Sequence, residues 1–224
     1  MDAGQKVERD MREVYDYWAR GPRRLIARAN QWFMQAVRPA VAYAEEPGQE
    51  EIDLVRQCFM EWFAYECVLD NGLTPLETYV ASETVHDESD RFDRLRQVES
   101  TNLFSQFAID GKDAEAGTSS LRDIYTGVSY LVHDARLART ERWLPGFTVA
   151  MRIASVDGAW CFAGLTHLVD RAPYVPGSGY LLGMGYGGER GDGAPEGLFL
   201  RAVADLIGVD GRMRPTARAI YQEG

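Results

Sequence analysis

The stretch Phe147-Thr148-Val149-Ala150-Met151-Arg152-Ile153-Ala154-Ser155-Val156-Asp157-Gly158-Ala159-Trp160-Cys161-Phe162-Ala163-Gly164-Leu165-Thr166-His167-Leu168 decides the fold. Two alternating runs flank Asp157-Gly158, a dipeptide that tolerates the two positive φ angles of a type I′ turn. The reading is a hairpin with strands over Phe147–Val156 and Ala159–Leu168. It sets Val156 opposite Ala159, Ile153 opposite Phe162 and Phe147 opposite Leu168. Side chains alternate along a strand, so Phe147, Val149, Met151, Ile153, Trp160, Phe162 and Leu168 share one face. Thr148, Arg152, Cys161 and His167 share the other. The apolar face is predicted to lie on the core.

Toward the N-terminus, Leu103–Ile109, Ser119–Ile124 and Val128–His133 also read as strands. Before about Thr101 the period is helical. Val7, Met11, Val14 and Trp18 mark one helix face, and Gly21-Pro22 ends that segment. Pro22 suits the first turn of a second helix, which carries Leu25, Ile26, Ala29, Phe33, Ala36 and Val37. A third helix spans about Glu50 to Leu69. It is apolar on all sides but a stripe of Asp53, Gln57 and Glu61, as a largely buried helix would be. Thr74-Pro75-Leu76-Glu77 is a capping box with proline at the first helical position. A polar helix is expected over Glu88–Gln97.

Beyond Asp170, nine glycines fall between Gly177 and Gly197. Short helices are expected over Glu196–Ile207 and Met213–Tyr221. The expected fold is α+β: a helical N-terminal half packed on an antiparallel β-sheet or small, partly open barrel, with short C-terminal helices. The corresponding regions are 1–100, 101–170 and 171–224, forming one compact unit.

Several of these segments resemble an uncharacterised bacterial protein family. They are Glu61-Trp62-Phe63, Asn71-Gly72-Leu73-Thr74-Pro75-Leu76-Glu77, Leu121-Arg122-Asp123-Ile124-Tyr125-Thr126-Gly127, and Arg152 with the Asp157-Gly158 turn. The resemblance covers roughly Glu50 to Val169 and implies a helical part followed by a small β unit. Some members of that family carry a SEC-C zinc motif. Its cysteines are not among the residues of this chain, so no metal ligand carries over, and the family supplies no activity.

Tempting chemical motifs fail on their context. Gly183-x-Gly185-x-x-Gly188 matches a dinucleotide pattern, but a polar loop follows it where a helix is required. His86, His133 and His167 have neighbouring carboxylates without metal-ligand spacing. Cys58 and Cys67 lie on an apolar helix, and Cys161 and His167 are too far apart on one strand to meet. Gly177-Ser178-Gly179 is not a nucleophile elbow. No catalytic, cofactor or metal residue is assigned.

The net charge of −10 disfavours general nucleic-acid binding. It is unevenly spread. Residues 1–44 carry eight basic and five acidic residues, and no acid lies between Tyr17 and Ala44. Arg20, Arg24 and Arg28 follow at four-residue spacing and would share a face if one helix ran past Gly21. Their counterpart is either the chain's own acidic surface or an acidic or phosphate-bearing partner. No run approaches the ~18 apolar residues of a transmembrane helix, and no membrane contact is expected. No signal peptide is visible, and three cysteines suit the reducing cytoplasm. The leading expectation is a non-catalytic cytoplasmic binding or regulatory module with the arginines as its anion contact. The alternatives are a small-molecule hydrolase or transferase with the Gly177–Gly197 loop as a lid, and a structural homo-oligomerisation domain.

Overall fold

The computed structural model describes residues 3–82, 89–173, 180–181, 185–186 and 197–211. The fold is α+β. Helices α1 (Ala3–Ala19), α2 (Arg23–Val37), α3 (Gln49–Glu66), α4 (Pro75–Val80) and α5 (Ser89–Thr101) precede the strands. These are β1 (Leu103–Asp113), β2 (Thr118–Asp123), β3 (Ser129–His133), β4 (Phe147–Val156), β5 (Ala159–Phe162) and β6 (Leu168–Pro173). A short helix α6 (Ala135–Arg139) joins β3 to β4. The two-residue strands β7 (Tyr180–Leu181) and β8 (Gly185–Tyr186) pair antiparallel, and α7 (Leu198–Ile207) follows. The expected helix Met213–Tyr221 lies outside the described residues.

The sheet closes. Its order is β1-β2-β3-β5-β4, with β4 returning to β1. Within this barrel β3 and β5 run parallel through Val132↔Trp160 and His133↔Cys161, and the other pairings are antiparallel. The expected antiparallel unit is thus a mixed barrel, because α6 crosses its end and returns the chain on the far side of β3. The result is a closed, mixed five-stranded barrel with α6 between its third and fourth strands.

Side-chain alternation explains the packing. Phe107, Ile109, Leu121, Val132, Val149, Met151, Ile153 and Phe162 fill the barrel, and Leu137 of α6 joins them. The opposite face of β1, β4 and β5 is also buried. Its Phe104, Ala108, Ala150, Ala154 and Cys161 pack in the helical core. Three alanines there let helices approach the sheet closely. The helical layer is built as expected on Val7, Met11, Val14, Trp18, Phe33, Phe59, Trp62 and Phe63, all buried. The capping box forms: Thr74 N–H donates to Glu77 Oε2 at 2.5 Å, and Glu77 N–H to Thr74 Oγ1 at 3.3 Å.

The hairpin turn has φ +53° at Asp157 and +78° at Gly158, with Val156↔Ala159 and Ile153↔Phe162 as read. The second strand then departs from the expectation. β5 ends at Phe162, and Leu168 pairs with Ala150 instead of Phe147. Residues 163–167 form a strap that leaves the sheet to reach α3. Leu165 N–H, Thr166 N–H and Thr166 Oγ1–H donate to Glu61 Oε2 at 2.6, 3.0 and 3.1 Å, while Tyr65 Oη donates to Ala163 O at 2.5 Å. Glu61, expected on a polar stripe, is fully buried.

Candidate functional site

α1 ends before Gly21, whose N–H donates to Trp18 O, and α2 begins anew at Arg23. One helix therefore does not carry all three stripe arginines. Arg20 lies in the turn, whereas Arg24 and Arg28 share a face of α2 and Trp32 continues it one turn on. Arg28 Nη2 donates to Asp70 Oδ1 at 2.8 Å, with both side chains largely exposed. Such a pair contributes ~0–1 kcal/mol and exchanges easily. Arg20 and Arg24 form no ion pair among the described residues.

This face borders a groove of about 780 Å³ between α2, the C-terminal end of α3 and the start of α7. Leu25, Ala29, Trp32, Trp62, Leu69 and Leu200 provide its apolar lining. Trp32 stacks on Trp62 with centroids 5.0 Å apart and planes at 14°, yet remains 52% exposed. Val68 is 68% exposed, because α3 ends at Glu66 and does not continue to Leu69. Arg28, Glu66 and Cys67 supply the groove's charge and its thiol. Burial pushes the Cys67 thiol up, while Arg28 pulls it partly back. The sequence places Trp32 and Trp62 on helices but carries no signal that the two rings meet.

Beneath the groove lies a polar cluster. Arg152 Nη2 donates to Glu66 Oε1 at 2.7 Å and Nη1 to Asn102 Oδ1 at 2.9 Å. Its Nε lies 3.5 Å from Glu61 Oε1. The guanidinium sits 4.3 Å from the Tyr65 ring centroid and near Phe104 and Phe199. Burial alone would lower the Arg152 pKa, but Glu61 and Glu66 raise it overall, so it stays charged. Burial also raises the Tyr65 and Tyr15 hydroxyls.

The histidines give a second, smaller recess of about 60 Å³, lined by His133, Asp134 and Glu8 among others. It holds a few waters at most. His167 does not meet Cys161; its Nε2 lies 2.5 Å from Asp134 Oδ2, and its ring stacks on Phe162 at 4.2 Å. Asp134 Oδ1 accepts the Arg136 and Leu137 N–H groups and caps α6. Burial would raise its carboxyl, but the His167 hydrogen bond and charge, the Leu137 N–H and Arg136 hold it below the usual value. Both Asp134 oxygens are thus engaged. Glu8 Oε1 accepts from Arg12 Nη2 and Arg136 Nη2. Both carboxylates of the recess are thus engaged, and its volume leaves no room for a substrate.

No group of three or more metal-ligating side chains occurs among the described residues. Cys58 and Cys161 are buried core residues, and none of the three cysteines forms a disulfide among the described residues. The outer face of β2 and β3 carries Thr118, Ser120, Arg122, Ser129, Leu131 and His133, with Arg122 paired to Asp110 at 3.0 Å. His86, Gly183, Gly188 and the Gly177–Gly197 loop apart from 180–181, 185–186 and Gly197 lie outside the described residues. No helix among the described residues is long and apolar enough to cross a membrane. No family model, curated protein or solved structure matches the chain.

Proposed function

We propose that this protein is a non-catalytic binding module whose α2–α3 groove receives an apolar-faced acidic peptide segment of a partner protein. The groove carries the reading: an open channel of about 780 Å³ floored by the Trp32–Trp62 stack, with Arg28 at its edge. Exposed Trp32, Val68 and Leu73 extend its apolar lining outward, as at protein-interaction sites. Helix α2 bears three arginines and no acid, in a chain of net charge −10. That local excess complements a carboxylate-bearing partner, and Arg28 can exchange exposed Asp70 for the partner's acid. The same proposal sets the protein in the cytoplasm, supported by three cysteines that form no disulfide among the described residues.

The test is fluorescence anisotropy with a fluorescein-labelled amphipathic peptide, leucines on one face and glutamates beside them. A peptide with glutamines for the glutamates is the control. The glutamate peptide should bind more tightly at low salt. Arg24→Ala with Arg28→Ala should remove that advantage, and Trp32→Ala should weaken both peptides. No binding by either peptide, or binding untouched by these changes, overturns the proposal. So does self-association on light scattering that Trp32→Ala abolishes, which would make the occupant a second copy.

A further inference from the structure

We infer that the groove also contains a subsite for a basic side chain of the bound segment, a lysine ammonium or arginine guanidinium, at Glu66. This rests on the groove's being the peptide site. The argument begins with charge. Glu61 and Glu66 flank Arg152, whose remaining partner, Asn102, is neutral. No second cation is paired with either carboxylate among the described residues. Two carboxylates on one guanidinium leave one negative charge in excess where water screens poorly.

Geometry decides where that charge can be met. Glu61 is fully enclosed, and its Oε2 is saturated by the strap. The Glu66 side chain is 26% exposed and lines the groove. Its Oε1 is held by Arg152, while Oε2 carries no hydrogen bond among the described residues. The excess charge is therefore accessible from the groove through Glu66.

Two further features favour a cation at that point. Glu66 is the last residue of the 18-residue helix α3, whose final turn contains no basic residue. Unpaired carbonyls at such an end attract positive charge. Trp62, stacked on Trp32, and Tyr65, packed against Arg152, wall the same place with apolar surface, which limits the screening of the Glu66 charge by water. The groove is thus dipolar, with Arg28 for an acid on the α2 side and Glu66 for a base at the end of α3. The bound segment carries both signs around an apolar centre.

The probes are N-acetyl-lysine methylamide and its Nε-acetylated, uncharged counterpart, titrated while the indole N–H resonances of Trp32 and Trp62 are followed by NMR. The charged probe should shift Trp62 saturably, and the neutral one should bind at least tenfold more weakly. Glu66→Gln should cost the charged probe at least tenfold. Equal response to the two probes, or an unchanged affinity in Glu66→Gln, overturns the subsite. The comparison of the two probes on the wild-type protein needs no variant, so it decides even if Glu66→Gln does not fold. Failure of the glutamate peptide to bind would remove the groove reading instead, a result separable from the lysine titration.

Discussion

The Glu61 carboxylate occupies the space that any side chain on residue 164 would need. A Cβ built on Gly164 would lie 2.7 Å from Glu61 Oε2 and 2.8 Å from Oε1. The carboxylate cannot swing aside freely, because Leu165 and Thr166 hold Oε2 with three donors. Gly164→Ala must then break hydrogen bonds to a buried charge or displace the strap. The expected loss is about 2–4 kcal/mol in chemical denaturation. A variant within about 0.5 kcal/mol of wild type would show that the strap moves easily.

The His167–Asp134 pair should give the protein an acid-sensitive contribution. Asp134 has a lowered carboxyl pKa in the fold, with the His167 hydrogen bond and charge acting against burial. Its folded value is below its unfolded value, so the stabilisation is fully present above the unfolded carboxylate range. It is lost as pH falls through the folded value. Asp134→Asn keeps a capping side chain for α6 but removes the charge. Its stability deficit, about 1–3 kcal/mol while the carboxylate is ionised, should shrink as pH falls below ~4. Denaturation midpoints of the two proteins across that range provide the check. A deficit that persists unchanged into strong acid would assign it to packing around His167.

These two features also show where the chain was readable. The Asp157-Gly158 turn and its alternating flanks sufficed for Val156↔Ala159 and Ile153↔Phe162, since both pairs follow from local backbone geometry. Leu168 slipped to Ala150 because the strap's partner is Glu61, about a hundred residues earlier, and alternation has no term for it. Glu61 resembled solvent-facing Asp53 and Gln57 in spacing; only its tertiary partners Arg152, Leu165 and Thr166 make its burial tolerable. The parallel β3–β5 contact and the Trp32–Trp62 stack are likewise meetings of distant segments. The helix faces built on Val7, Met11, Val14 and Trp18 were legible because period alone determines them.

A second buried ion pair ties α1 to α5. Arg94 Nε donates to Asp10 Oδ2 at 2.6 Å, with Asp10 almost completely enclosed. Arg94→Met leaves that carboxylate with half-exposed Arg9, whose Nη2 lies 3.1 Å from Oδ1. The remaining partner softens the loss to about 2–3 kcal/mol, below the range for a wholly stranded charge. Asp10→Leu with Arg94→Met should recover most of it. A double-mutant cycle measures the coupling, and simple additivity of the two single changes would show that the pair does not act as a unit.

The three thiols should separate by reactivity. Cys58 and Cys161 are fully buried, and burial pushes the Cys58 thiol far up. Cys67 is half-buried in the groove wall, where burial raises its pKa and Arg28 opposes that shift. A disulfide reagent added to the native protein should therefore label Cys67 alone, slowly near neutrality and faster as pH rises through the thiol range. Arg28→Ala removes the opposing charge, raises the thiol further and slows labelling at fixed pH. The glutamate peptide, by occupying the groove, should protect Cys67 without altering the labelling of all three thiols in denaturant. Mass spectrometry of the labelled peptides checks each point. Equal native labelling of Cys58 would mean that α3 leaves the core on the time scale of the reaction. Labelling of Cys67 that the bound peptide does not slow would place the peptide elsewhere than this groove.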